Sequence, residues 1–244
     1  AEAYGNAHEV IADYHKNNKN RFEIITKYKK DITNLDTNIL KRVEKHIKTF
    51  DIDSLRGYFF HDFHEFIEYV SNNEFQLKEL LSSGLTQKIG VSVYTNQQLE
   101  KVIDFDFIKL IQIPFNLFDN AYQREKTLKM THDKKIEVHT RSAFLQGLFF
   151  REPKNLSPAF DTLITPLNFI QDLCKEKEFK MEELALNYPL SKKYIDRVLI
   201  GVETLDQLKS NLNSVSKTIS SKVFNTIDTI QINEKKLLNP SNWN

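Results

Sequence analysis

The chain has 244 residues, 34 basic and 33 acidic side chains and a formal charge of +1, a balance with no electrostatic footprint for nucleic acid or an anionic membrane. The single cysteine, Cys174, excludes an intrachain disulfide framework and a cysteine-rich zinc site. It fits a reducing compartment, so the cytoplasm is the expected location, and no apolar run is long enough to cross a bilayer.

Short β-rich runs alternate with longer amphipathic stretches. In chain order, helical patterns are predicted over 6–17, 36–50, 64–83, 96–104 and 119–132, followed by a longer set from 157 to 188. Strands are predicted over 21–28, 55–62, 88–94, 108–116, 135–143 and 196–202. Leu40, Val43 and Ile47 carry the helical spacing clearly, while Asp36 and Thr95 can cap the helices they precede. Several strands are apolar through their middles, as strands covered on both faces must be. Strand–helix alternation in every unit predicts one parallel sheet in one domain spanning 1–244. An open doubly wound sheet should carry G-x-G-x-x-G or G-x-x-x-x-G-K-[ST] after its first strand; neither occurs. The α/β barrel is the remaining reading.

Two polar residues follow apolar runs, Lys27 in FEIITKY and His61 in GYFFHDF, and a third, Tyr4 in AEAYGNA, is expected to follow a run lying before Ala1. Parallel barrels keep their chemistry at strand ends. A phenol, an ammonium and an imidazole there can protonate a carbonyl oxygen, which points to carbonyl reduction. His64 lies close to His61, but no further His, Cys or carboxylate completes a metal set in the sequence.

With these residues in place, the chain resembles the aldo/keto reductase family. AEAYGNA is similar to that family's D-T-A-x-x-Y-G, ITK to its lysine strand and FFHD to its histidine strand. The resemblance continues through KIGVSVY, IKLIQIPFNLFD, HTRSAFLQGLF, DRVLIGVETLDQLKSNL and LLNPSNW, and so covers nearly the whole chain. It implies a TIM (β/α)8-type barrel that reduces an aldehyde or ketone with a nicotinamide cofactor, NADPH by family default. The six strands would be the third to the eighth. The first two, and the aspartate that pairs with the lysine, would lie before Ala1, so the chain is expected to be an N-terminally truncated, incomplete barrel with little activity of its own.

The resemblance implies Tyr4 as general acid, Lys27 as the neighbouring ammonium that favours phenolate, and His61 as the group orienting the substrate oxygen. It implies Ser92 and Gln112 against the nicotinamide carboxamide, with Val93 replacing the asparagine that often follows the serine. Arg141 stands where many members stack a tyrosine on the nicotinamide. Ser142, Phe144 and Gly147 would take the pyrophosphate, and Gly201, Val202, Glu203, Gln207 and Asn211 the adenosine phosphate. Glu203 and Gln207 occupy positions where many members place Lys or Arg, which makes NADH an alternative to NADPH. The implied partner is a small carbonyl compound, sugar-related by likeness to bacterial members linked with polysaccharide synthesis.

Other positions carry plainer expectations. His8, His15 and His46 are expected to be solvated, and Lys41, Arg42, Lys45 and Lys48 to form a solvent-facing basic helix face. Phe59, Phe60, Phe63 and Phe66 are expected in the core. Trp243 is assigned either to a flap over the site or to packing outside it. Two other function classes fit the same residues: a regulatory cofactor-binding protein on the same barrel, and a nicotinamide-independent barrel isomerase or lyase.

Overall fold

The computed structural model describes residues 1–30 and 38–243. The chain divides into two compact units, Ala1–Gln112 and Ile113–Asn244. Among the described residues no helix is long and apolar enough to cross a membrane.

In the first unit the order is α1 (Ala7–Asn17), β1 (Ile25–Tyr28), α2 (Ile39–Phe50), β2 (Gly57–Phe60), α3 (Phe63–Ser82), β3 (Ile89–Ser92) and α4 (Asn96–Val102), followed by β4 (Ile108–Pro114), which belongs to this unit up to Gln112. Neighbouring strands pair in parallel, with Lys27 opposite Phe59, Phe59 opposite Gly90 and Gly90 opposite Leu110. All four residues of β2 and all four of β3 are buried, which is why these runs show no polar alternation. Phe59, Phe60, Phe63 and Phe66 lie in this core as expected.

Three helix starts in this unit are capped by side chains. Asn38 accepts from the amides of Leu40 and Lys41 and starts α2; the predicted cap Asp36 lies outside the described residues. Asp62 accepts from the amides of His64 and Glu65, turning the chain from β2 into α3 directly after His61. Thr95 and Gln98 close a capping box on α4, as the sequence predicted for Thr95.

Expectations for four residues of α1 and α2 are corrected. His15 and His46 are buried rather than solvated, and His8 is partly buried. The Nδ1 of His15 bonds the Phe50 carbonyl at 2.9 Å, and its Nε2 accepts from the Phe22 amide at 3.0 Å. Arg42, expected on a solvent-facing basic side, is buried as well. It reaches the carboxylate of Glu2 at 2.9 Å and the Lys29 carbonyl at 2.9 Å. Helical periodicity identified the faces but not the buried carboxylate that makes one of them habitable for a cation.

The second unit contains α5 (Ala121–Asp133), β5 (Glu137–Arg141), α6 (Asp161–Glu176), α7 (Met181–Leu190), β6 (Arg197–Val198), α8 (Leu205–Ser214) and α9 (Ser221–Ile227). β5 and β6 pair in parallel, His139 opposite Arg197 and Thr140 opposite Val198. β6 is much shorter than the predicted 196–202 strand, because Asp196 turns its carboxylate onto the Val138 amide at 2.7 Å and the chain leaves the ladder after Leu199 bonds Thr140. The helix α9 was not foreseen, since seven residues offer too little periodicity. Tyr188 organises this unit's core: its ring stacks on Phe115 at 5.4 Å and its hydroxyl donates to Asp228 at 2.6 Å. Trp243 packs edge-on against Phe160 and donates through Nε1 to the Leu237 carbonyl, the packing role of its two expected ones.

Gly90 holds the first unit's register together. A Cβ built there would sit 2.6 Å from the Phe59 ring and 2.7 Å from Leu110 Cβ. Gly90→Ala should therefore destabilise the protein by about 1–3 kcal/mol, the usual scale of core overpacking. A urea midpoint equal to wild type would show that the sheet absorbs the methyl without strain.

The first unit should also lose stability as the solution is acidified. His8 bonds the Thr26 hydroxyl at 2.9 Å, and burial, assisted by the adjacent His46, lowers its pKa to about 4. The folded state thus refuses a proton that the unfolded chain accepts below about pH 6.5. The corresponding stability is fully present above pH 6.5 and is lost as pH falls toward 4. In the second unit, His139 is also lowered by burial and gives a slope of the same sign. His8→Gln should therefore flatten, without abolishing, the fall in melting temperature between pH 7 and 4.5, and an unchanged slope would contradict this assignment.

Candidate active site

Tyr4 sits on the turn entering α1, where Ala7 bonds its carbonyl at 3.1 Å and Gly5 takes a left-handed φ of 52°. The ring is 57% exposed, and its hydroxyl lies 3.2 Å from Nε2 of His61. The two rings meet edge-on with centroids 5.7 Å apart. His61 follows the last residue of β2, and its amide bonds the Tyr28 carbonyl at 3.1 Å, so the imidazole is fixed at the C-terminal edge of two adjacent strands.

Lys27 projects from β1, and its Nζ bonds Oε1 of Gln112 on β4. That bond was not foreseen, because the resemblance assigned Gln112 to the carboxamide and assigned the lysine an aspartate partner. It orients the Gln112 amide, with oxygen toward the ammonium. The Nε2 that remains is buried and has no hydrogen-bond partner among the described residues. A buried donor without an acceptor is costly. Ser92, the last residue of β3, lies directly opposite Gln112 in the ladder.

The group that the sequence reading passed over is Glu2. Its carboxylate is wholly buried, receiving Tyr58 (2.6 Å) and His46 (2.8 Å) on Oε1 and the Lys29 amide (2.9 Å) and Arg42 (2.9 Å) on Oε2. Burial pushes its pKa up, but the bonds from His46, Tyr58 and Lys29 and the charge of Arg42 outweigh this and hold it below the ordinary glutamate value. Arg42 and His46 are four residues apart, hence on one helix face, but that spacing alone carries no sign of a shared buried acceptor.

In the second unit a cavity of about 1070 Å³ gathers Ser142, Phe144, Gly147, Gly201, Val202, Glu203, Gln207 and Asn211, all eight of the residues proposed for the phosphates and adenosine. Arg141 ends β5, its carbonyl accepting from the Phe115 amide, and is not among the lining residues. The loop after β5 is conformationally expensive: Ser142, Leu145, Gln146 and Gly147 all have φ between 45° and 77°. Such strain persists only where the surroundings enforce it, and it gathers at ligand sites. Here Asn116 holds the Ser142 carbonyl at 3.1 Å. On the other wall, Thr204 caps α8, and Gln207 accepts from the Glu203 amide at 2.8 Å. The sequence reading missed Glu182, which also lines the cavity from α7. Among the described residues lining the cavity there are two carboxylates, Glu182 and Glu203, and no lysine or arginine. No group of three or more His, Cys, Asp or Glu side chains arranged for a metal ion occurs among the described residues.

A polar cluster thus lies at the ends of parallel strands in the first unit, and a strained loop walls a cavity in the second. The model of the aldo/keto reductase family matches residues 1–232, and the chain belongs to that family. It is 25% identical over 171 residues to aldo-keto reductase YhdN of Bacillus subtilis, a match covering 63% of this chain and 51% of that protein. It is 22% identical over 150 residues to the uncharacterized oxidoreductase YqkF of the same organism, covering 57% and 48%. The chain thus spans about half the length of the curated relatives it matches. Among solved structures, the holo form of aldo-keto reductase AKR11C1 from Bacillus halodurans aligns with a TM-score of 0.72 at 18% identity, covering 92% of this chain and 78% of that one. The fold is that of the aldo-keto reductases.

Proposed function

We propose that the protein carrying this chain reduces an aldehyde or ketone to an alcohol with a nicotinamide cofactor, Tyr4 acting as the proton donor. The observation that carries the reading is the Tyr4 hydroxyl 3.2 Å from His61 Nε2 at strand ends that also present Lys27. In this reading the Tyr4 hydroxyl gives its proton to the substrate oxygen. His61 orients that oxygen from the other side through Nε2. Lys27, bound to Gln112, supplies the positive charge that favours the phenolate left on Tyr4.

The residues fit the cofactor. Gln112 Nε2 is a buried donor lacking an acceptor, which the carbonyl of a carboxamide would provide, with Ser92 beside it in the ladder. In the second unit, the strained loop at Ser142, Phe144 and Gly147 would hold the pyrophosphate, and Gly201, Val202, Glu203, Gln207 and Asn211 the adenosine end. When bound, the reduced nicotinamide supplies the hydride that reaches the carbonyl carbon. Arg141 is proposed near the nicotinamide, where a guanidinium plane can stack on the ring or attract an anionic substrate.

Tyr4→Phe in the intact protein should lower kcat for a reactive aldehyde by about two to four orders of magnitude, the scale of a lost general acid. Cofactor affinity, read by fluorescence titration, should stay nearly unchanged. Full turnover by Tyr4→Phe would remove the assignment. Cofactor binding by the wild type without turnover would favour the regulatory alternative, and absence of cofactor binding an isomerase or lyase.

NADPH is the form implied by the family, but the lining of the cavity favours NADH. A 2′-phosphate would meet Glu203 or Glu182 with no lysine or arginine among the described lining residues, whereas a carboxylate can accept from a ribose 2′-hydroxyl. Glu203→Arg should shift the ratio of NADPH to NADH dissociation constants toward NADPH by an amount on the order of 1–3 kcal/mol, the range of charge-assisted hydrogen bonds. An unmoved ratio would place Glu203 away from the ribose.

A further inference from the structure

Tyr4 presents a problem of precision. Its ring is 57% exposed on a turn, yet a proton donor must be held within a fraction of an ångström of its working position. The body of the protein gives the ring little packing to hold it. Two residues upstream, however, Glu2 is anchored by four donors. Its carboxylate has no exposure and takes four donors from three elements: Tyr58 of β2, His46 and Arg42 of α2, and the Lys29 amide just after β1. Its own amide donates to the carbonyl of Lys27 at 3.1 Å. Main chain and side chain therefore fasten the Tyr4 segment to the same two strands that carry Lys27 and His61.

We propose that Glu2 is the positioning residue of the proton donor: the buried carboxylate locks the segment bearing Tyr4 against β1, β2 and α2 and so sets the Tyr4 hydroxyl on His61. The proposal rests on the reading of Tyr4 as the proton donor. Stability alone is a poor reason for such a cluster, since buried ion pairs replaced by well-packed apolar groups are often no less stable. What a carboxylate offers here is geometry. Both oxygens are used, each by two donors from different directions, so the main chain at Glu2 can adopt only one placement relative to the sheet. Arg42 extends the clamp by bonding the Lys29 carbonyl at 2.9 Å and lying over the Tyr28 ring at 4.6 Å.

The test uses the intact protein and two variants. Glu2→Gln keeps the shape but replaces one acceptor oxygen with a donor group. Tyr58→Phe keeps the core volume and removes one of the four donors. We expect kcat to fall about 10–100-fold in Glu2→Gln and about 3–10-fold in Tyr58→Phe, in line with the sensitivity of catalysis to displacements of about 1 Å. The dissociation constant of the reduced nicotinamide should stay within about twofold, and Glu2→Asp should recover part of the loss. Independently of turnover, the NMR resonances of the His61 imidazole should move in both variants toward their positions in Tyr4→Phe, as the hydroxyl leaves Nε2. Folded variants with wild-type kcat and unmoved His61 resonances would overturn the proposal, even if their melting temperatures were lower. If Glu2→Gln does not fold, Tyr58→Phe decides. If the wild type turns over no carbonyl compound, the functional reading fails, and the His61 resonances alone decide the placement of Tyr4.

Discussion

The first unit depends on one row of residues across its parallel ladder: Lys27, Phe59, Gly90 and Leu110. Phe59 can lie flat in that row only because Gly90 has no side chain to displace it. If the register moved by one residue, every side chain of the moved strand would change face, and Lys27 would leave the side on which it meets Gln112. The row therefore couples core packing to the placement of the polar groups. Its aromatic member is pure packing and its cationic member is proposed as chemistry, and the same hydrogen bonds hold both.

Buried charge follows a common pattern here. Glu2 with Arg42 and His46 forms a closed set in the first unit, and Asp119 with Arg124 forms a bidentate pair in the second, at 2.6 and 2.7 Å. Removing one partner from such a set strands the other in a medium that cannot solvate it. Charged residues in these places constrain the chain more than they stabilise it. In the first unit the constrained segment is the one carrying Tyr4. In the second it is the turn after Phe118, where Asn116 accepts the amides of Phe118 and Asp119 and extends its Nδ2 to the loop at Ser142.

The second unit's cavity combines two features that pull in different directions. Its strained loop exposes main chain in the manner of an anion cradle, but its charged lining is acidic. Main-chain dipoles tolerate a pyrophosphate because they are fixed and cost no reorganisation. A further phosphate would need a mobile cation, and the described lining offers none. In the proposed reading, the balance between fixed dipoles and side-chain charge is what would discriminate between dinucleotides that differ by one phosphate.

Much of the fold was legible in the sequence. Apolar runs such as GYFF and IGVS can be satisfied only as strands covered on both faces, and Thr95 with Gln98 writes a helix start in residue types alone. That Lys27 and His61 lie toward strand ends was legible because strand ends are marked by the change from apolar to polar. What local patterns could not contain was partnership. Nothing near Lys27 in the chain points to Gln112, which is 85 residues away. Nothing in the helical spacing of α2 distinguishes a solvated Arg42 from one buried on the carboxylate of Glu2. The start of β6 was likewise decided by Asp196 accepting another strand's amide. Periodicity tells which residues share a face, since it follows from backbone geometry. Whether that face meets water, an apolar wall or a lone carboxylate depends on residues distant in sequence, and only the tertiary structure brings them together.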